Sequence, residues 1–129
     1  MQANDESASA DRVERGKRAS YLLVSQQYDL NVACRPVAQL FGYGVYQVGS
    51  SLERPNFRDV DLRCILSNEE YDMMFAGDDH GKRVKFLNVV ISEWIAARTD
   101  LPIDFQFQRE AEANAEFKGT RNAVGFSAP

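Results

Sequence analysis

Apolar side chains recur along this chain with two distinct periods. From Ala19 to Phe41 the positions Leu22, Leu23, Leu30, Ala33, Cys34, Val37, Leu40 and Phe41 fall three and four residues apart, the spacing of one helix face. Pro36 is expected to kink or split that helix, because it lacks a donor and its ring crowds the preceding turn. Gly42 and Gly44 end it, and Val45-Tyr46-Gln47-Val48 reads as a short strand. A second strand is expected from Asp59 to Leu66. Ser67 followed by Glu70 has the form of a capping box, so a short helix carrying Tyr71, Met74 and Phe75 should follow and stop at Gly77. After the polar loop GDDHGKR, residues 83 to 98 place Val84, Leu87, Ile91, Trp94 and Ile95 on one helical face, with Trp94 expected in the core. Leu101-Pro102 breaks that helix. In IDFQF the period drops to two, Ile103, Phe105 and Phe107 facing one way and Asp104 and Gln106 the other. REAEANAEF closes the pattern as a short helix ending near Gly119.

This order of elements predicts an α+β fold, a small mixed β-sheet with helices packed on one face. Residues 1–18 are polar and small, with nothing to bury before Val13, and read as a flexible arm. Residues 19–119 form the expected domain and 120–129 a C-terminal tail. At 129 residues, 44% of them hydrophobic, one core of ordinary size is expected. No apolar run nears the roughly 20 residues of a membrane span, and the N-terminus lacks the apolar centre of a signal peptide, so a soluble cytoplasmic protein is expected.

Two cysteines, Cys34 and Cys64, and the single His80 are too few for a cysteine/histidine zinc site, and both thiols are expected reduced in the core. A net charge of -4 argues against a protein coated in nucleic acid. Local basic clusters such as Lys82, Arg83 and Lys85 read first as helix surface, although they could meet an RNA or protein.

The unusual feature is a pair of like charges inside a strand. Side chains two apart share a face with Cα atoms about 6.6 Å apart, so Asp59 and Asp61 project together while Val60, Leu62 and Cys64 enter the core. Side by side they repel, unless a cation lies between them. An all-oxygen donor set suits Mg²⁺ or Mn²⁺. Asp104 repeats the pattern on a later strand, and three acids on two strands could converge. Taken singly, each piece has a plainer reading: alternating acids as a solvated strand face, Gly49-Ser50 as a turn, Asp104 as a partner of Arg63. The combination changes the weighing. A glycine lets backbone approach a phosphate, and exposed N–H groups with a hydroxyl can bind its oxygens.

With Val48-Gly49-Ser50, Asp59-Val60-Asp61-Leu62 and Ile103-Asp104-Phe105 in hand, the chain resembles the nucleotidyltransferase superfamily of DNA polymerase beta, in particular its minimal stand-alone members from prokaryotes and phages. The resemblance covers residues 46 to 107, and the eight residues between Ser50 and Asp59 stand at the short end for that family. It implies a nucleotidyltransferase-like fold and transfer of a nucleoside monophosphate from a nucleoside triphosphate to a hydroxyl, with pyrophosphate leaving. By position, Gly49 and Ser50 would hold the triphosphate, Asp59 and Asp61 would bind metal, and Asp104 would bind the catalytic metal and deprotonate the acceptor. Arg54 and Arg58 are candidates for clamping phosphate, Arg63 for a structural counter-ion, and Arg121 and Asn122 are weaker candidates for reaching the site from the tail. The acceptor, whether RNA, protein or small molecule, would be presented by a partner protein, by a second copy of the chain, or by the tail and arm, since the chain has little room for an acceptor-binding domain. A non-catalytic nucleotide-binding or protein-interaction module with the same fold is the alternative. Asp78-Asp79-His80 reads as a solvated turn in preference to a rival metal site.

Overall fold

The computed structural model describes residues 20–125. The expected arm, residues 1–18, lies outside them. Four helices, α1 (Val24–Phe41), α2 (Asn68–Met74), α3 (Lys82–Thr99) and α4 (Glu110–Glu116), accompany four strands, β1 (Val45–Val48), β2 (Val60–Leu66), β3 (Ile103–Arg109) and β4 (Asn122–Val124). The sheet order is β3-β2-β1-β4, with β1 antiparallel to both β2 and β4, and β2 parallel to β3. This is a small α+β fold with a mixed sheet. Its one parallel step needs a long crossover, and α2 and α3 provide it.

Strand parity divides the chemistry. Val45, Leu62, Cys64, Phe105 and Phe107 share one face by register, and all are buried under the helices. Phe107 lies at the centre, with the rings of Phe41, Phe75 and Phe105 at 4.9, 5.3 and 5.2 Å, in edge-on contacts that aromatic quadrupoles favour. Burial pushes the Cys34 and Cys64 thiols up to about 12, so they act as apolar core groups. The Asp61, Arg63, Asp104 and Gln106 side chains belong to the opposite face. On the open edge of the sheet, Ser92 and Asn88 of α3 accept the N–H groups of Phe105 and Phe107 at 2.8 and 3.0 Å, which blocks pairing with another strand.

Local signals set most boundaries. Gly42, at φ 74°, closes α1 in the left-handed conformation and donates to Ala38 O. Ser67 and Glu70 form the reciprocal capping box at the start of α2. Asp78 caps the start of α3, accepting from the N–H groups of Arg83 at 2.7 Å and Val84 at 3.0 Å. Asp79 is spent on His80 and Lys82 at the surface, so this loop is helix-capping chemistry.

Several expectations are revised. Pro36 neither splits nor ends α1. It sits on the exposed side, where the carbonyl its missing N–H leaves without a donor, that of Val32, belongs to a similarly exposed position. The helix begins at Val24, and residues 20–23 precede it. Trp94 is 36% exposed, with the Arg98 guanidinium 3.7 Å from its ring centre, and is not a core residue. Leu40 also points outward. Part of the expected tail belongs to the sheet, because Asn122–Val124 pairs with β1 as the fourth strand. The end of α4 adds cover on the second face of the sheet, where Phe117 stacks on Arg63, 5.2 Å from ring centre to guanidinium carbon.

Candidate functional site

The sheet brings the sequence motifs together at one end. Val48, the last residue of β1, is the register partner of Asp61, and Asp61 is in turn the register partner of Asp104 on β3. Gly49, Asp61 and Asp104 therefore stand on three adjacent strand ends. Asp59 lies just before β2 and is exposed. Gly49 adopts φ 77°, and a Cβ there would lie 2.5 Å from Asp61 Oδ2. The glycine is thus required twice, for its left-handed backbone and for its close approach to a carboxylate.

A 3-10 turn, Gly49–Leu52, carries the two serines to different fates. Ser51 is buried, and Gln47 Nε2 donates to its hydroxyl at 2.9 Å. Gln47, fully buried, also donates to Ser20 Oγ at 3.0 Å and accepts from Gln27 at 3.0 Å and Asn122 at 3.1 Å. One amide thereby ties α1, β4 and the turn to β1. Ser50 is partly exposed, and its carbonyl accepts from Glu53 and Arg54. Arg54 and Arg58 are exposed. Arg54 approaches Glu53 at 3.9 Å, and no contact among the described residues ties either arginine to the acids.

Electrostatics single out Asp61. Burial pushes its carboxyl up to about 6; Arg63 pulls it back, while Asp104, Asp59 and Glu116 push it further up. Glu116, at the end of α4, has no signal in the sequence, because nothing in REAEANAEF says that the helix folds back over the acids. Gln108 Nε2 donates to Glu116 Oε1 at 2.8 Å, and Gln106 Nε2 to Asp104 Oδ1 at 3.2 Å. The cation among them is Arg63, 3% exposed. Its Nη2 lies 3.5 Å from Asp104 Oδ2, and its Nη1 donates to the carbonyls of Leu62 at 2.9 Å and Asp104 at 2.8 Å. Lys85 borders an open groove of about 550 Å³ beside Asp104, between α3 and β3. Arg121 donates to Asn114 Oδ1 at 2.6 Å, whereas Asn122 enters the Gln47 network.

The raised Asp61 carboxyl has a testable consequence. Its folded value exceeds the ordinary 3.8, so the folded state holds the proton more tightly. That contribution to stability is complete below 3.8 and is lost as pH rises through about 6. Metal-free protein should therefore lose stability across that window, and Asp61→Asn should flatten the loss. Because the group is half-exposed, the gain at pH 7 should be only on the order of 1 kcal/mol. Urea melts of both proteins between pH 4 and 7.5 check it, and parallel pH profiles would count against the assignment.

A patch of carboxylates around one buried cation, Arg63, is chemically suited to a divalent ion, since added positive charge relieves the repulsion that, after burial, helps to raise Asp61. Among the described residues, no three His, Cys, Asp or Glu side chains already converge as a metal-binding group. Also among them, no helix is long and apolar enough to cross a membrane. The class defined by fold and site is an α+β domain with a glycine turn packed against acids on adjacent strands. Comparison with protein-family models, curated proteins and solved structures finds no significant match.

Proposed function

We propose that the chain is a metal-dependent nucleotidyltransferase of the kind its motifs resemble, moving a nucleoside monophosphate from a nucleoside triphosphate to an acceptor hydroxyl. The observation that carries this reading is the Gly49 backbone packed against the Asp61 carboxylate, with Asp104 in register on the next strand. Phosphate oxygens would be held by backbone N–H groups of the glycine turn and by the Ser50 hydroxyl, with Arg54 and Arg58 in the neighbouring loop as further phosphate ligands. Asp59, Asp61 and Asp104 would hold Mg²⁺ or Mn²⁺, which would supply neutralisation of the triphosphate and of the charge developing on the leaving pyrophosphate. Asp104 would accept the proton of the acceptor hydroxyl, which approaches along the groove between α3 and β3. The acceptor oxygen then bonds to the α-phosphorus as the bond to the bridging oxygen breaks and pyrophosphate departs with the electron pair. Positioning of the groups supplies most of the rate.

A second reading, a nucleotide-binding module without transfer, draws on one observation. Asp104 is already paired with the buried Arg63, which competes with any role as a base. One experiment separates the two. The protein is incubated with each labelled nucleoside triphosphate, Mg²⁺ or Mn²⁺ and a cell extract, and label is sought in RNA, protein and small molecules while pyrophosphate is assayed. The enzyme reading expects label in one acceptor class with stoichiometric pyrophosphate. Metal-dependent nucleotide binding without pyrophosphate release would favour the module, and no nucleotide binding would end both.

A further inference from the structure

The structure leaves a second surface that the acids do not use. On α1, Tyr28, Val32, Pro36 and Leu40 recur every four residues along the outer side, and on α3 Phe86, Val90 and Trp94 do the same. Three of these are far too exposed for ordinary core positions: Leu40 at 78%, Phe86 at 68% and Tyr28 at 67%. The helices run antiparallel, since Tyr28 and Val32 share a depression with Trp94 and Arg98 while Pro36 and Leu40 share another, of about 290 Å³, with Leu87 and Val90. Ridge and depression thus lie side by side on one face.

We propose that this face is the interface of a homodimer, two copies meeting through α1 and α3 as a layer of four helices. Charge on the face favours a second copy over other partners. Of the residues lining the two depressions, only Asp29 and Arg98 are charged, and both sit at the same end. A two-fold axis parallel to the helices lays α1 of one copy antiparallel on α3 of the other, so that Asp29 meets the other copy's Arg98 twice over. Such self-complementarity is what an isologous contact requires. A nucleic acid or lipid headgroup would find no matching charge.

The size also suffices. Two helices of 18 residues are about 27 Å long and pack about 10 Å apart. Their outer face offers a flat footprint of roughly 500 Å² per copy, so roughly 1,000 Å² in total before side-chain relief is counted, which is where specific interfaces begin. The segments outside the described residues offer few apolar side chains to cover it. Residues 1–19 contain only Met1 and Val13 as large apolar side chains, and 126–129 only Phe126. Because the helices lie on the face of the sheet opposite the acids, both acidic patches stay open in the dimer.

Sedimentation equilibrium of the full chain tests this. The parent should approach twice its 14.6 kDa as concentration rises from about 1 to about 100 µM. Leu40→Glu with Val90→Glu should raise the dissociation constant at least about 100-fold, by closing four carboxylates into an apolar contact, while far-UV circular dichroism stays unchanged. Met73→Glu, equally exposed but on α2, should leave the dimer intact. Should the double variant lose helical signal, the reversals Asp29→Arg and Arg98→Asp decide: each alone should weaken association and the two together restore it. A parent that stays monomeric near 100 µM overturns the proposal, as does a dimer indifferent to both sets of changes.

Discussion

Replacing Arg63 by methionine is expected to destabilise the metal-free protein by about 2–4 kcal/mol at pH 7, the largest stability effect of any single change at the acidic face. Methionine keeps much of the aliphatic bulk, so the loss should report charge and hydrogen bonding. Arg63 is the buried cation beside Asp61 and Asp104, and it also donates to two carbonyls and lies against Phe117. Its removal leaves carboxylates facing one another without compensation. Two further measurements make the cause identifiable. The deficit should shrink as pH falls below 6, because Asp61 then takes up a proton. Arg63→Met combined with Asp104→Asn should be appreciably more stable than the sum of the single effects predicts, with coupling of about 1–2 kcal/mol. Strict additivity in urea melts would mean that Arg63 acts through packing alone, and the picture of a charge-balanced patch would have to be abandoned.

The fold was legible where local chemistry and burial agree. Period-two and period-three-to-four patterns located β1, β2, β3, α1 and α3, and the Ser67/Glu70 capping box placed the start of α2, although that helix ends at Met74, short of the Gly77 expected to stop it. What escaped was decided by tertiary partners. The short β4 has no apolar run of its own; it exists because Asn122–Val124 finds the free edge of β1 and because Asn122 reaches Gln47. Trp94 and Leu40 fit the helical period of their segments, but a helix between sheet and solvent has flanks, and periodicity alone does not say where the apolar stripe stops. Their outward placement carries the dimer proposal.

At the site, sequence reasoning grouped Gly49, Asp61 and Asp104, and the register joins them. It assigned the hydroxyl role to Ser50 without distinguishing Ser51, which folds inward to Gln47. Glu116 and Gln47 could not have been found: one depends on how α4 turns back, the other on four segments meeting around an amide. Both are ordinary polar residues until the chain is folded.

Asp104→Asn provides the sharpest test of chemistry. The change is nearly isosteric, retains the acceptor for Gln106, and removes one charge from a crowded patch, so the fold should stand and stability should change little. Triphosphate binding, which in the proposed mechanism rests on Gly49, Ser50, Asp59 and Asp61, should stay within about 10-fold of the parent. Transfer should fall by at least about 10²-fold, the scale of losing a positioned acid–base group. The loss should appear in kcat, with the substrate KM little moved, because the carboxylate acts on the attacking hydroxyl rather than on the bound nucleotide. Arg63 bears on the same step, because its ion pair with Asp104 must loosen before the carboxylate can take the proton of the acceptor hydroxyl. Steady-state kinetics with the labelled acceptor measure kcat and KM for parent and variant. Undiminished transfer by Asp104→Asn would remove it from the chemistry and leave Asp59, Asp61 or Glu116 to supply the base.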